Sequence, residues 1–204
     1  MPNRRPTRTR RPDPAMADVP FSCPCGEVKG TVHGATPTSG NHVRCYCSAC
    51  RAAVLYTTGV DVEDHGVELF QTTPDKISFQ QGQDKLAVFS FSPKKLLRFR
   101  AACCGAPLFT MLPTPKFALT GVMTNMLADK TAIGPVAMEA FIPQPDGSSK
   151  HSSVLRLYGG TMWRALVARV TGRWKQTPFF DVETGKPVAE VYIPIEEERA
   201  RLPL

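Results

Sequence analysis

Between residues 19 and 141 the chain reads as short runs of alternating apolar and polar positions, with turns between them. Glu27-Val28-Lys29-Gly30-Thr31-Val32 alternates as a half-buried strand does, one face apolar and the other polar. Val67-Glu68-Leu69-Phe70-Gln71 and Lys76-Ile77-Ser78-Phe79 repeat that pattern. Gln81-Gly82-Gln83-Asp84 is a turn signal, and Leu86-Ala87-Val88-Phe89-Ser90-Phe91 follows as another strand. After the Ser92-Pro93 break comes Leu96-Leu97-Arg98-Phe99-Arg100. Many short strands punctuated by Gly and Pro predict a mainly β (α+β) domain of antiparallel strands. Residues 49–56 are predicted as one short helix.

Beyond residue 141 the pattern changes. Gln144-Pro145-Asp146-Gly147-Ser148-Ser149 is a polar loop. Leu155, Met162, Leu166, Val167 and Val170 then recur at helical spacing, with Arg156, Arg164, Arg169 and Arg173 between them and Gly172 as the stop. This predicts a basic amphipathic helix. Its apolar stripe is expected to pack on the neighbouring core, the alternative being a position on a membrane surface. Residues 177–195 read as an extended, Pro-marked tail wrapping the core. The expected organisation is a basic tail (1–18), a β domain (19–141) and a C-terminal extension carrying the helix (142–204). No internal repeat is evident.

Charge refines the tail. The net charge is +7, and five arginines against one aspartate in the first sixteen residues account for +4 of it. That segment is rich in Pro and Arg without periodic apolar residues, so it is expected to be disordered. It is read as a solvated leader. A nucleic-acid-contacting arm is the alternative, but no aromatic interleaves with the arginines to stack on bases. No run of about 18 apolar residues suggests a transmembrane helix. Pro12, Asp13, Pro14 and Asp18 occupy the place where a signal peptide needs an apolar segment. The expected compartment is the cytoplasm, where thiols stay reduced.

That compartment gives meaning to seven cysteines in three clusters: Cys23-Pro24-Cys25, Cys45-Tyr46-Cys47-Ser48-Ala49-Cys50 and Cys103-Cys104. An odd number of cysteines in a reducing compartment argues against a disulfide framework. Short-spaced cysteines on turns bring two thiolates to one metal, and two such pairs close a tetrahedron. Gly26 and Gly105 suit the tight turns such sites use. Zinc is the expected ion and iron the alternative, because four thiolates also bind it. Seven ligands divide into four plus three, hence two ions. Cys23, Cys25, Cys103 and Cys104 would form a closed structural site. Cys45, Cys47 and Cys50 would form a site with an open fourth position, unless His42 or His65 fills it.

The ordered motifs Cys23-Pro24-Cys25-Gly26, Cys45-Tyr46-Cys47-Ser48-Ala49-Cys50-Arg51 and Leu97-Arg98-Phe99 leading into Cys103-Cys104-Gly105 resemble the glutathione-dependent formaldehyde-activating enzyme family, which includes the centromere protein V relatives. The resemblance spans roughly residues 19–125. It implies a zinc-stapled β-tent, with structural zinc on Cys23, Cys25, Cys103 and Cys104. It also implies a catalytic zinc on Cys45, Cys47 and Cys50 that binds a glutathione-like thiol. The implied activity is that of a carbon–sulfur lyase forming an S-hydroxymethyl adduct with formaldehyde, with Arg44 and Arg51 as candidate holders of a glutathione carboxylate. Two positions depart from the family pattern. Ala101 stands where a cysteine is usual, leaving Cys103 adjacent to Cys104, and Tyr46 stands where histidine is frequent. The rival expectation is a non-catalytic zinc-stapled module that binds protein or nucleic acid.

Overall fold

Strand follows strand for most of the chain in the computed structural model, which describes residues 17–152 and 159–204. The order is β1 (Ala17–Ser22), β2 (Lys29–Ala35), β3 (Asn41–Cys45), α1 (Ser48–Thr58), β4 (Val67–Thr72), β5 (Ile77–Gln81), β6 (Leu86–Phe89), β7 (Leu97–Ala101), β8 (Pro107–Met111) and β9 (Thr120–Met123). Then come β10 (Met138–Ala140), β11 (Ile142–Pro143), β12 (Ser149–Lys150), α2 (Thr161–Val170), β13 (Val191–Tyr192) and α3 (Glu196–Arg199). The mainly β expectation holds, and the alternating segments of the sequence become β2, β4, β5, β6 and β7. The first sixteen residues of the expected tail, and Leu155 and Arg156 of the helical pattern, lie outside the described residues. Strand β1 includes Ala17 and Asp18, the last two residues of the segment assigned to the tail.

Two sheets build the body. A three-stranded antiparallel sheet runs β1-β2-β5. An eight-stranded mixed sheet runs β10-β3-β4-β9-β8-β7-β6-β13, parallel at its two edge pairs and antiparallel between. Within the three-stranded sheet, Gly30 lets the Phe21 ring of β1 and the backbone of β5 lie directly against β2. A Cβ there would lie 2.2 Å from the Ser78 carbonyl and 2.3 Å from the Phe21 ring, distances no side chain tolerates. Phe21, Phe79, Phe99, Phe109 and Phe179 fill the space beneath in edge-on or tilted contacts, with centroids 4.9–5.8 Å apart. Such pairs add roughly 0.5–1.5 kcal/mol each beyond area burial.

Phe179 shows how the C-terminal extension joins the core. It is fully buried among the phenylalanines of the β strands. Further on, Val191 and Tyr192 pair with Val88 and Phe89, extending the large sheet by one edge strand. The helix behaves differently from expectation. Met162, Leu166 and Val170 are more than half exposed, as is Trp163, whereas Thr161, Ala165 and Ala168 are buried. The stripe expected on the core therefore faces solvent, Val167 alone being half-buried. Size explains the choice. Small residues at i, i+4 and i+7 let the helix backbone lie close to the body, and Asn41 Nδ2 donates to Thr161 Oγ1 at 3.1 Å across that contact. A pattern reading that weights large apolar residues selects the wrong face.

Candidate metal centres

The first centre is built from two turns. Between β1 and β2 the chain reverses at Cys23: the Cys23 N–H donates to the Val28 carbonyl at 3.0 Å and the Gly26 N–H to the Cys23 carbonyl at 2.9 Å. Gly26 takes φ +78°, which favours glycine. This wrapping aims the Val28 N–H at Cys23 Sγ, 3.3 Å away. Between β7 and β8 a second turn carries Cys103 and Cys104, closed by the Gly105 N–H on the Ala101 carbonyl at 2.8 Å, with Gly105 at φ +77°. The turns meet. Cys25 Sγ lies 3.2 Å from Cys103 Sγ, Cys23 Sγ lies 3.4 Å from Cys25 Sγ and 4.0 Å from Cys103 Sγ, and all four sulfurs fall within 4.8 Å of one another.

A tetrahedral ion with metal–sulfur bonds of about 2.3 Å separates its sulfurs by about 3.8 Å. The observed separations scatter around that value, so the donor set fits a tetrathiolate ion. Burial raises the Cys23 thiol, but the Val28 N–H and the thiols of Cys25, Cys104 and Cys103 outweigh it and settle it at about 7. The adjacent placement of Cys103 and Cys104 does not keep Cys103 out of the group.

The second centre is local. Cys45 ends β3, Cys47 caps the N-terminus of α1, and Cys50 lies in its first turn, where its N–H donates to the Cys47 carbonyl at 3.1 Å. The three sulfurs gather within 4.8 Å, Cys45 and Cys47 at 3.4 Å. The first turn of α1 has no acidic residue and no side-chain cap, so a thiolate supplies the negative charge a helix N-terminus favours. Hydrogen bonds from Cys45 and Cys50 hold the Cys47 thiol down at about 3. The bond with Cys47 pushes Cys45 up to about 12, and the bonds with Cys45 and then Cys47 hold Cys50 well above its ordinary value.

No histidine or carboxylate joins this trio among the described residues. Neither expected candidate does so. His42 Nδ1 contacts the Gly134 carbonyl at 2.8 Å and Nε2 lies 3.5 Å from Glu68, while His65 lines a separate polar cleft with Arg44, Tyr46, Glu68 and Lys130. Beside the trio is a cavity of about 220 Å³, which all three cysteines help to line. Phe141 also lines it, at φ +57°, a costly conformation for a residue with a Cβ.

The arginines fall otherwise than expected. Arg51 is held by both carboxylate oxygens of Asp61 at 2.6 Å. Arg44 binds Glu68 at 2.7 Å and lies 3.5 Å from Glu139. Neither lines the cavity. Tyr46 donates to Glu139 at 2.8 Å, and burial together with that bond raises its pKa.

The arginine beside the thiols is Arg98, to which the sequence reading gave no role. It is 6% exposed, donates to the carbonyls of Ala49 (2.9 Å) and Leu96 (3.2 Å), and lies over the Phe91 ring at 5.0 Å. Burial pushes its pKa down, and the nearby sulfurs of Cys50, Cys47 and Cys45 oppose that. A divalent ion held by the three thiolates would leave one net negative charge, which this buried guanidinium would balance. The signal was present as an arginine inside the apolar run Leu96-Leu97-Arg98-Phe99, a position where an unpaired charge is expensive.

Comparisons place the chain. A family profile described as "Family of unknown function (DUF6151)" matches residues 16–192. No curated protein matches it significantly. A solved Rhodobacter sphaeroides protein, a structural-genomics target, is similar at a TM-score of 0.41 and 18% identity, over 57% of this chain and 96% of its own. With most of its length under the family profile, the chain belongs to that family of unknown function, DUF6151.

Proposed function

We propose that this is a cytoplasmic two-zinc protein in which one ion staples a β-tent and the other activates a thiol for carbon–sulfur bond formation with a small aldehyde. The supporting observation is the second centre: three sulfurs, no fourth protein ligand among the described residues, and a cavity against them. Structural zinc sites are closed by four protein ligands, whereas catalytic ones keep a position open. Zinc, when bound there, supplies Lewis acidity that favours the thiolate form of an incoming thiol.

The protein's own groups do the rest. Cys45, Cys47 and Cys50 fix the ion to β3 and α1. Arg98 offsets the negative charge that accumulates as a further thiolate approaches. The apolar cavity wall limits water around the sulfur. In the reaction, sulfur attacks the carbonyl carbon, the S–C bond forms, the C=O π bond opens, and the proton lost by the thiol ends on the former carbonyl oxygen. Tyr46 is not the base, because its hydroxyl already donates to Glu139.

A second reading, a zinc-stapled binding module, is favoured by the apolar face that α2 turns to solvent. The two are separated by following S-hydroxymethyl adduct formation from formaldehyde and a thiol by NMR. The enzyme reading expects acceleration by the wild-type protein that Cys47→Ser removes. Equal rates with and without protein would favour the module.

A further inference from the structure

The cavity beside Cys45, Cys47 and Cys50 states what kind of thiol fits. Val43, Leu69, Leu96, Met111, Leu119 and Phe141 supply apolar walls, and beyond the three cysteines no charged side chain lines it among the described residues. Its volume of about 220 Å³ exceeds the roughly 150 Å³ apolar cavity that accepts benzene. It falls below the roughly 300 Å³ at which pockets for drug-sized ligands begin. A charged tripeptide is therefore poorly matched in size. It is also poorly matched in charge, because a carboxylate entering an apolar wall loses hydration without gaining a partner. Arg44 and Arg51, which would have to supply that partner, are engaged by Glu68 and Asp61 outside the cavity.

Two neutral side chains add detail. Gln71 and Thr110 line the cavity, and Gln71 Oε1 and Thr110 Oγ1 are buried with no hydrogen-bond partner among the described residues. These two oxygens have almost no accessible surface, so they present no acceptor to a group in the cavity and leave its wall effectively apolar.

We infer that the second centre takes a small uncharged thiol with a short apolar chain, and discriminates against anionic thiols, glutathione among them. The inference rests on the reading of this centre as a thiol site. The chain of the ligand lies along Leu69, Met111 and Leu119.

Cobalt(II) in place of zinc lets ligand binding be read from the d–d absorption, without any catalytic assay. The protein is titrated with mercaptobutanol, with mercaptobutyrate, which has the same chain length but ends in a carboxylate, and with glutathione. The expected result is a spectral change at a concentration lower by tenfold or so for mercaptobutanol than for either anionic thiol. Leu119→Arg, at a half-buried position outside the strands, is expected to narrow or reverse that preference by giving the carboxylate a partner. Equal or tighter binding of mercaptobutyrate or glutathione to the wild-type protein would overturn the inference and leave the thiol site standing. A spectrum indifferent to all three thiols would overturn both.

Discussion

Glu68 shows how much one side chain organises in this fold. A hydrogen bond from Arg44 holds its carboxylate below the usual range against the opposing effect of burial, with His42 and Lys130 nearby adding to the shift. A carboxylate whose folded pKa is depressed contributes stability that is complete above its unfolded pKa of about 4.3 and disappears as pH falls through the folded value. The melting temperature of wild type should therefore exceed that of Glu68→Gln near pH 7, and the gap should close below about pH 4. A gap that stays constant with pH would mean that the ionised carboxylate is not what stabilises the cluster. Individual residues also mark the limits of the sequence. The seven cysteines announced their chemistry through spacing. Arg98 left a weaker mark, a charge inside an apolar run, and Gln71 and Thr110 left none, because what distinguishes them is burial without a partner, which the tertiary fold settles.

Among the elements, strands were more legible than the long helix. Period-two alternation at residues 27–32, 67–71 and 86–91 became β2, β4 and β6 because each strand has one face on the shared core. The helix after the cysteine cluster was also legible, and Gly59 ends it at φ +71° with its N–H on the Leu55 carbonyl. In α2 the periodicity gave the helix and misassigned its face. The consequence is testable by paired substitutions read through chemical denaturation. Leu166→Glu, on the solvent face, should change stability by no more than about 0.5 kcal/mol. Ala168→Leu, on the face that is fully buried, should cost about 1–3 kcal/mol through overpacking. The reverse ranking would return the Met162–Leu166–Val170 stripe to the core. The edge strand β13 had no signal of its own: two residues pair with β6 only because the preceding chain is anchored first.

At the scale of the whole molecule, the extension and the strand domain share one core, and Phe179 is the anchor. Its ring meets Phe79, Phe99 and Phe109 at 4.9–5.8 Å. Phe179→Ala should destabilise the entire fold in a single transition by about 3–5 kcal/mol. Loss confined to a separate low-temperature transition would show that residues 142–204 form an independent unit. The cysteine groups divide along similar lines. Cys23 and Cys25 are joined to Cys103 and Cys104 across most of the strand domain, so an ion there holds distant chain together. Cys45, Cys47 and Cys50 lie within one turn and need no distant chain to meet. On the proposed reading, an ion at the first group would contribute to folding, and one at the second mainly to function.

That division is the centre of the account, and metal analysis of chelator-free preparations tests it most directly. Wild-type protein should hold about two zinc ions per chain, one for each cysteine group. Cys47→Ser should fold, melt near the wild-type temperature and hold about one. Cys25→Ser should lose most of its thermal stability or fail to accumulate in soluble form, since structural zinc sites supply on the order of 10 kcal/mol to small metal-dependent folds. A wild-type content near one, or a Cys47→Ser protein that collapses as Cys25→Ser does, would contradict the separation into a closed structural centre and an open functional one.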